Sequence, residues 1–316
     1  MNNDRRVLVT GASGFLGTNL MPILRSQYSL VDAPRRQDYD LLDAAAVRNM
    51  FRDCQPELVF HLAGKVGGIL ANRDFPADFC RENLLLAANV IHGAWASGVK
   101  KFVTLIGGCS YPANAPTPIR EEELWCGYPQ PESAPYSLAK AMSVELCNSY
   151  RRQHGFDAIV MVPGNVYGPH DNFDLQSSHV IPALIRKYLE AAKSGKQRIT
   201  AWGTGRPLRD FVYVQDACEA IAVAAENYSG SQLINISSGN RVSIKKLVET
   251  IADLCGFKGE VEWDTSKPDG QLDKGFDVSK MRSILGFECN TQLADGLQKT
   301  IEWYRQQETV DRSTSS

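Results

Sequence analysis

The stretch "VLVTGASGFLG", Val7 to Gly17, is the feature that most limits what this chain can become. "RVLVTG" is a short β-branched run that stops at a glycine, the mark of a buried strand. "FLGTNLMPILRSQ" follows with Phe15, Leu16, Leu20, Ile23 and Leu24 at helical spacing. Between them Gly11, Gly14 and Gly17 fall in the pattern G-x-x-G-x-x-G. Gly11 permits a tight turn, Gly14 lets backbone N–H groups approach a pyrophosphate at the helix start, and Gly17 lets the helix pack closely on the sheet. The loop residues Gly11, Ala12, Ser13, Gly14, Phe15, Leu16 and Gly17 are therefore expected to cradle a dinucleotide. Taken without the flanking strand and helix, the glycines would mark only a tight turn.

The same rhythm continues along the chain. "SLVD", "ELVFHLAG" and "KFVTLIGG" read as strands, and "ENLLLAANVIHGAWASG" as a helix stopped by Gly98. "SAPYSLAKAMSVELCNSYRRQHG" reads as a long helix, its start signalled by Ser133 and Pro135 and its stop by Gly155. "DAIVMVPGNVYGP" reads as one further strand ending in a loop. Strands alternating with helices predict a Rossmann-type, doubly wound parallel sheet covered on both faces. After Gly168 the rhythm changes. "SHVIPALIRKYLEAAKSG" is a helix, "RITAWGTGRPLRDFVYVQDACEAIAVAAE" returns to strand, loop and helix, and the remainder suggests a smaller C-terminal α/β lobe. The expected division is a dinucleotide-binding domain at 1–167 plus about 207–236, and a substrate lobe at 168–206 and 237–316. A chain of 316 residues suits two lobes sharing a core.

Charge and cysteine usage exclude several classes. A net charge of −2 gives no reason to expect nucleic acid or an anionic membrane as partner. The eight cysteines show no C-x-x-C and no metal-ligand spacing. They read as reduced thiols of a cytoplasmic protein, mostly small buried apolar residues. The apolar run near the N-terminus is too short for a signal peptide, and no stretch is apolar enough to span a bilayer. The tail "TVDRSTSS" is polar and expected to fray.

Two readings of the cofactor compete. Asp32 ends the second strand, where an acid would hold the ribose 2′-OH of NAD. Arg35 and Arg36 follow at once and suit the 2′-phosphate of NADP, which is the preferred reading; a solvated basic turn is the alternative. In the long helix, Tyr136 and Lys140 are four apart and share a face. An ammonium beside a phenol is expected to favour the phenolate, so the pair can exchange a proton with a carbonyl oxygen while hydride moves to or from a nicotinamide.

Tyr-x-x-x-Lys in a helix downstream of the glycine loop resembles the extended short-chain dehydrogenase/reductase family. "KVGGILANRDFPADF" (65–79), "NVYGPHDNF" (165–173), "SHVIPALIRK" (178–187) and "SKPDG" (266–270) narrow the resemblance to the GDP-L-fucose synthases, NADPH-dependent epimerase/reductases of GDP-4-keto-6-deoxy-D-mannose. It runs from Val7 to about Trp303. The resemblance implies that Tyr136 is the acid/base at the C4 oxygen and that Lys140 tunes it and touches the nicotinamide ribose. It implies that Cys109 and His179 invert C3 and C5, that Arg36 meets the 2′-phosphate, and that Pro163, Asn165, Val166 and His179 complete the cofactor site. Lys187, Trp202, Arg209 and Asp269 would line the GDP-sugar site. It implies a homodimer through the helices around 83–96 and 136–153. Read singly, Cys109 is inert core, His179 a satisfied helix-start histidine, Lys187 and Arg209 solvated charges and Trp202 core. The implied chemistry is sound: a 4-keto group acidifies the hydrogens on C3 and C5, and a thiolate/imidazole pair can remove and return them.

The chain departs from the pattern in "LIGGCSYP" (105–112). The family serine that would hydrogen-bond the 4-oxygen is Gly107 here. If this stretch is strand, Gly107 and Cys109 share one face and Ser110 takes the other. Losing one donor to a developing oxyanion costs roughly 10²–10³ in rate. Three outcomes stay open: slowed C4 reduction, room for a bulkier 4-keto sugar, or a backbone that needs φ > 0 at Gly107. An epimerase or reductase acting alone on a related sugar, and a non-catalytic NADP-sensing relative, are the other functions considered.

Overall fold

A computed structural model describes residues 3–175, 177–267 and 269–314. The chain begins β1 (Asn3–Thr10), α1 (Phe15–Gln27), β2 (Tyr28–Asp32), α2 (Ala44–Cys54) and β3 (Leu58–His61). It continues α3 (Ile69–Asp74), α4 (Pro76–Ala96), β4 (Lys101–Leu105), α5 (Ala134–His154), β5 (Ala158–Pro163) and β6 (Asn165–Tyr167). Then come α6 (Val180–Lys193), β7 (Arg198–Trp202), β8 (Leu208–Tyr213), α7 (Val214–Asn227) and β9 (Ile234–Ile236). It ends with β10 (Arg241–Ser243), α8 (Ile244–Cys255), β11 (Glu260–Asp264), β12 (Asp273–Lys274), α9 (Ser279–Leu285) and α10 (Leu293–Thr314).

Six strands form one parallel sheet in the order β2-β1-β3-β4-β5-β9. Side chains alternate across a strand, so each strand feeds two cores. Val7 and Val9 enter one and Leu8 the other; Val103 and Phe102 divide the same way. Met50 and Phe51 of α2, Val90 and Ile91 of α4 and Val144 of α5 cover one face. Leu20 and Leu24 of α1 and Ala217 and Ile221 of α7 cover the other. This is the doubly wound arrangement that the alternation predicted. The second core runs on into Ile181, Ile185, Leu247 and Ile251, so the C-terminal elements share it rather than building their own. In that part β8 pairs antiparallel with β10 and parallel with β12 and β6, and β7 pairs parallel with β11.

β1 has β2 on one side and β3 on the other, so strand order reverses there and a ligand crevice opens. Gly11 turns the chain at φ +77°, and a Cβ on it would lie 2.6 Å from the backbone nitrogen of Ala63, just past β3. A Cβ on Gly17 would lie 2.3 Å from the carbonyl oxygen of Gly11. Both positions exclude any side chain.

Several expectations are corrected. "DAIVMVPGNVYGP" is two strands, not one: β5 stays in the main sheet while β6 joins β8, the chain parting at Gly164. "RITAWGTGRPLRDFVYV" holds two strands, β7 and β8, which pair with different partners. α4 starts at Pro76, where a proline suits the first helical turn, well before "ENLLL". α10 runs to Thr314, so the tail expected to fray is helical as far as it is described; Ser315 and Ser316, like Pro268 of "SKPDG", lie outside the described residues. The cysteines are free, but only Cys147, Cys218 and Cys255 are buried; Cys126 is exposed and the rest lie between. Among the described residues no helix is long and apolar enough to cross a membrane.

Candidate active site

A cavity of about 340 Å³ opens at the carboxyl ends of β1 and β3. Thr10, Gly11, Ser13, Arg35, Arg36 and Lys65 are among its lining residues, and Asp32 is not. Gly14 is the N-cap of α1 and offers no side-chain cap, so the first N–H groups of the helix are left for a ligand. The excluded side chains at Gly11 and Gly17 and the free helix start fit a dinucleotide. Arg36 is exposed, with Nε 3.9 Å from Asp40 Oδ1, a loose pair that leaves its guanidinium available. Pro163 ends β5, and Asn165 and Val166 open β6; Asn165 Nδ2 donates to the Asp210 carbonyl at 2.8 Å.

The turn after β4 differs from the strand expected for "LIGGCSYP". β4 ends at Leu105, and Gly108–Ser110 form a 3₁₀ turn. Strand alternation therefore does not apply at Gly107, yet the turn delivers the same neighbours. A Cβ on Gly107 would stand 3.0 Å from Cys109 Sγ and 3.8 Å from both Cε1 and Oη of Tyr136. Gly107 has φ −84° and ψ 150°, an extended conformation open to any residue, so glycine is not required by its backbone. Gly108 is different: a Cβ there would meet the Phe276 ring at 2.5 Å. Ser110 is buried and donates to the Ser137 carbonyl at 3.1 Å, so it cannot replace the missing hydroxyl.

Burial dominates the electrostatics of the Tyr136–Lys140 pair. Tyr136 is partly open to the cleft, but the protein around its hydroxyl pushes the phenol above its ordinary range, and the neighbouring Cys109 adds to the rise. The lowering expected from Lys140 is not seen in the protein alone: burial and then Cys109 both act upward on the phenol. Lys140 is itself pulled down by burial to about 8. It has no hydrogen bond or ion pair among the described residues, and its Nζ would lie 3.9 Å from a Cβ on Gly64. Beside it, burial and then Lys140 push His61 down to about 3, so this imidazole is neutral; its Nδ1 lies 2.7 Å from Thr10 Oγ1.

His179 is the N-cap of α6, exposed, with Nδ1 4.0 Å from Asp171 Oδ1. Among the described residues it makes no hydrogen bond or ring contact with Cys109 or Tyr136. The link runs through "KVGGILANRDFPADF". Phe79 stands edge-on to Tyr136, with centroids 6.3 Å apart, and leaves no room for a Cβ on Gly67. A Cβ on Gly68 would lie 3.4 Å from the Ser177 carbonyl oxygen, close to His179 in the chain.

The four proposed sugar-nucleotide residues gather around the ends of β7 and β8. Lys187 Nζ donates to the Thr200 carbonyl of β7. Trp202 ends β7 and is 72% exposed, which removes the core reading, and Lys267 Nζ lies 5.9 Å from the ring centroid. Asp269 takes the Thr204 N–H at 2.6 Å and its hydroxyl at 2.7 Å. Arg209 in β8 sits beside Lys274 in β12, and burial lowers both. Lys274 also feels Cys109, so it joins the catalytic turn to this rim. Sequence reasoning missed Lys274, His61 and Asp171; the last stands inside the quoted "GPHDNF", but nothing local marks its burial.

Residues 7–237 match the NAD dependent epimerase/dehydratase family. GDP-L-fucose synthase 1 of Arabidopsis thaliana is 41% identical over 304 residues, covering 96% of this chain and 94% of that protein. Among solved structures, a GDP-6-OMe-4-keto-L-xylo-heptose reductase from C. jejuni superposes with TM-score 0.90 at 31% identity, covering 97% of this chain and 99% of that one. The GDP-L-fucose synthetase of Naegleria fowleri bound to NADP gives TM-score 0.88 at 29% identity, covering 98% and 96%.

The burial of Lys140 yields a stability prediction. Its folded value of about 8 lies below the ordinary 10.5, so the folded state binds its proton less tightly. The cost is full below pH 8 and fades as pH rises from about 8 toward 10.5. At about 1.4 kcal/mol per unit, Lys140→Met should stabilise the cofactor-free protein at pH 7 by up to about 3 kcal/mol while removing hydride transfer. Urea melts at pH 7 and pH 10 check this: the gain should shrink at the higher pH, and no gain at pH 7 would refute it.

Proposed function

The chain belongs to the NAD-dependent epimerase/dehydratase family and, within it, groups with the GDP-L-fucose synthases, and from that premise we propose that it is a 3,5-epimerase/4-reductase converting GDP-4-keto-6-deoxy-D-mannose to GDP-L-fucose. The observation that carries the reading is the meeting of Cys109 Sγ and Tyr136 Oη around Gly107. A thiol and a phenol reach one point, which suits a sugar with acidic ring hydrogens beside a carbonyl that must be protonated.

In this reading Cys109 and His179 exchange protons at C3 and C5, the electron pair of each broken C–H bond passing into the 4-keto group. Tyr136, kept protonated by burial, gives its proton to the C4 oxygen. The hydride that reaches C4 is the chemistry supplied by NADPH. Lys140 presents its ammonium near Tyr136, and Arg209 with Lys274 gives two cations for the pyrophosphate of the GDP-sugar. Lys187, Trp202 and Asp269 hold the remaining nucleotide and sugar. The cofactor loop 11–17 with Pro163, Asn165, Val166 and His179 holds NADPH. Preference for NADPH over NADH is supported by Arg35 and Arg36 in the cavity wall and Asp32 outside it. The cofactor domain would comprise 1–167 and about 207–236, and the sugar-nucleotide lobe 168–206 and 237–316. The reading carries with it a cytoplasmic homodimer docked through α4 and α5, where Leu84, Leu138 and Met142 expose apolar side chains.

The test is incubation with GDP-4-keto-6-deoxymannose in D₂O, with and without NADPH. Deuterium at C3 and C5 without cofactor, and NADPH oxidation with it, is the expected result. Tyr136→Phe should lose oxidation and keep exchange, whereas Cys109→Ser and His179→Gln should lose exchange. Absence of both activities would sink the reading.

Arg36→Ala should weaken NADPH far more than NADH, measured by fluorescence titration. An equal effect on both would return the choice to Asp32.

Gly107→Ser should fold, because its backbone is extended and the Cys109 thiol can yield a few tenths of an ångström. Gly108→Ser should lose about 1–3 kcal/mol against the Phe276 ring. The first variant should raise kcat of C4 reduction by at most roughly 10²–10³, with kcat/KM following. Unchanged kcat in a well-folded Gly107→Ser would show that position 107 does not reach the 4-oxygen.

A further inference from the structure

The loop from Asp171 to His179 is built from its own side chains. Asn172 Oδ1 accepts from Asp174 N at 2.9 Å, and Asp174 Oδ1 accepts from the nitrogen and hydroxyl of Ser177, both at 3.0 Å. Asn172 Nδ2 donates to Ser177 Oγ at 2.9 Å. One end of this loop is His179 and the other is Asp171. Just before Asp171 the chain takes a costly conformation. His170, a non-glycine residue, has a positive φ of +67°, and its ring lies 4.7 Å from that of Trp303. Asn19 Nδ2 donates to the Pro169 carbonyl at 2.9 Å and pins the same bend.

The strained bend puts a carboxylate where solvent cannot reach it. The Asp171 side chain is 3% exposed. Its Oδ1 accepts from Asn172 N at 2.7 Å, but Oδ2 is buried with no hydrogen-bond partner. A buried carboxylate with an unfilled oxygen is expensive unless something complements it. Burial pushes the Asp171 carboxyl up, the Asn172 N–H and then His179 draw it down, and the balance leaves it at about 6. Nδ1 is the ring nitrogen nearer the carboxylate, at 4.0 Å.

We propose that Asp171 is the positioning residue for His179: its carboxylate takes the Nδ1–H of the imidazole, fixes the ring and its tautomer, and leaves Nε2 to exchange the proton at the sugar ring carbon. This deepens the epimerase reading and rests on it. The 4.0 Å separation is that of the protein alone, and catalytic hydrogen bonds often tighten only when substrate is bound. Asp171 touches neither sugar nor cofactor in this arrangement; it acts through His179.

The experiment compares Asp171→Asn, Asp171→Glu, His179→Gln and the double variant Asp171→Asn/His179→Gln in full-length protein. Deuterium incorporation at C3 and C5 of GDP-4-keto-6-deoxymannose is followed across pH, with NADPH binding as the check of folding. Asp171→Asn preserves shape and an oxygen for Asn172 N–H, so it should bind NADPH normally yet exchange about 10-fold or more slowly, in kcat rather than KM. Its acidic limb should change, since the carboxyl that burial leaves at about 6 beside His179 is gone. Asp171→Glu should keep the wild-type pH profile with a smaller loss of rate. The double variant should be no slower than His179→Gln alone.

Wild-type exchange and an unmoved pH profile in Asp171→Asn would overturn the proposal, as would losses that multiply in the double variant. If Asp171→Asn fails to bind NADPH, the glutamate variant decides: a displaced acidic limb there, despite its carboxylate, overturns the assignment. Wild-type exchange in His179→Gln would remove the epimerase role of His179 itself, a failure of the underlying reading that is visible separately from any effect at Asp171.

Discussion

The approach of the Gly11 turn to the backbone beyond β3 is the constraint on which the rest of this molecule hangs. Two chain segments pass so closely that a single carbon on Gly11 would collide with Ala63, and the helix start is pressed onto the same turn through Gly17. That closeness seats α1 on the sheet at the point where strand order reverses. The crevice there receives the ends of β1, β3 and β4, hence Thr10 and His61 at its base and the turn bearing Cys109 beyond. α5 brings Tyr136 and Lys140 to the same place because it packs on α4 and follows β4 in the chain. Loosening the glycine contact would displace chemistry that lies far from it in sequence.

The second organising fact is that the site is dry before it is charged. Lys140 lies buried with no carboxylate partner among the described residues, a neutral His61 sits near it, and burial holds the phenol of Tyr136 toward its protonated form. In water an ammonium four residues along a helix would make the phenol more acidic; inside this cleft removing water matters more. The result is a group suited to giving a proton rather than one already ionised. Lys274 repeats the pattern on the other rim, a half-buried cation beside Arg209. Such groups weaken the fold and are tolerated where anionic ligands must be met.

Much of this was legible from local pattern. "FLGTNLMPILRSQ" is α1 residue for residue, and Gly155 stops α5 in a left-handed conformation as its position suggested. The strand–glycine–helix unit was readable because its physics is confined to neighbouring residues. What failed was set by partners distant in sequence. Nothing within "DAIVMVPGNVYGP" says that its two halves belong to different sheets; that is decided by β8 and β9. Gly107 was assigned its face by strand alternation, although the strand ends at Leu105, and the right neighbours arose from a 3₁₀ turn instead. Lys274 becomes notable only when β12 is laid beside β8, and Asp171 only when burial strips its carboxylate of solvent. A spacing on a helix shows proximity and not the amount of water left, so it does not give the direction of the phenol's shift.

The Phe276 ring lies against both Gly108 and Gly164, and toward Tyr111, with centroids 6.2 Å apart in the last case. Its presence makes the two glycines of "LIGGCSYP" unequal as sites of descent. Position 107 can change alone, since only a movable thiol stands in the way. Position 108 can take a larger residue only at a cost, because the Phe276 ring must shift or be exchanged for something smaller. A side chain beside Tyr136 is therefore gained far more readily at position 107 than at its neighbour.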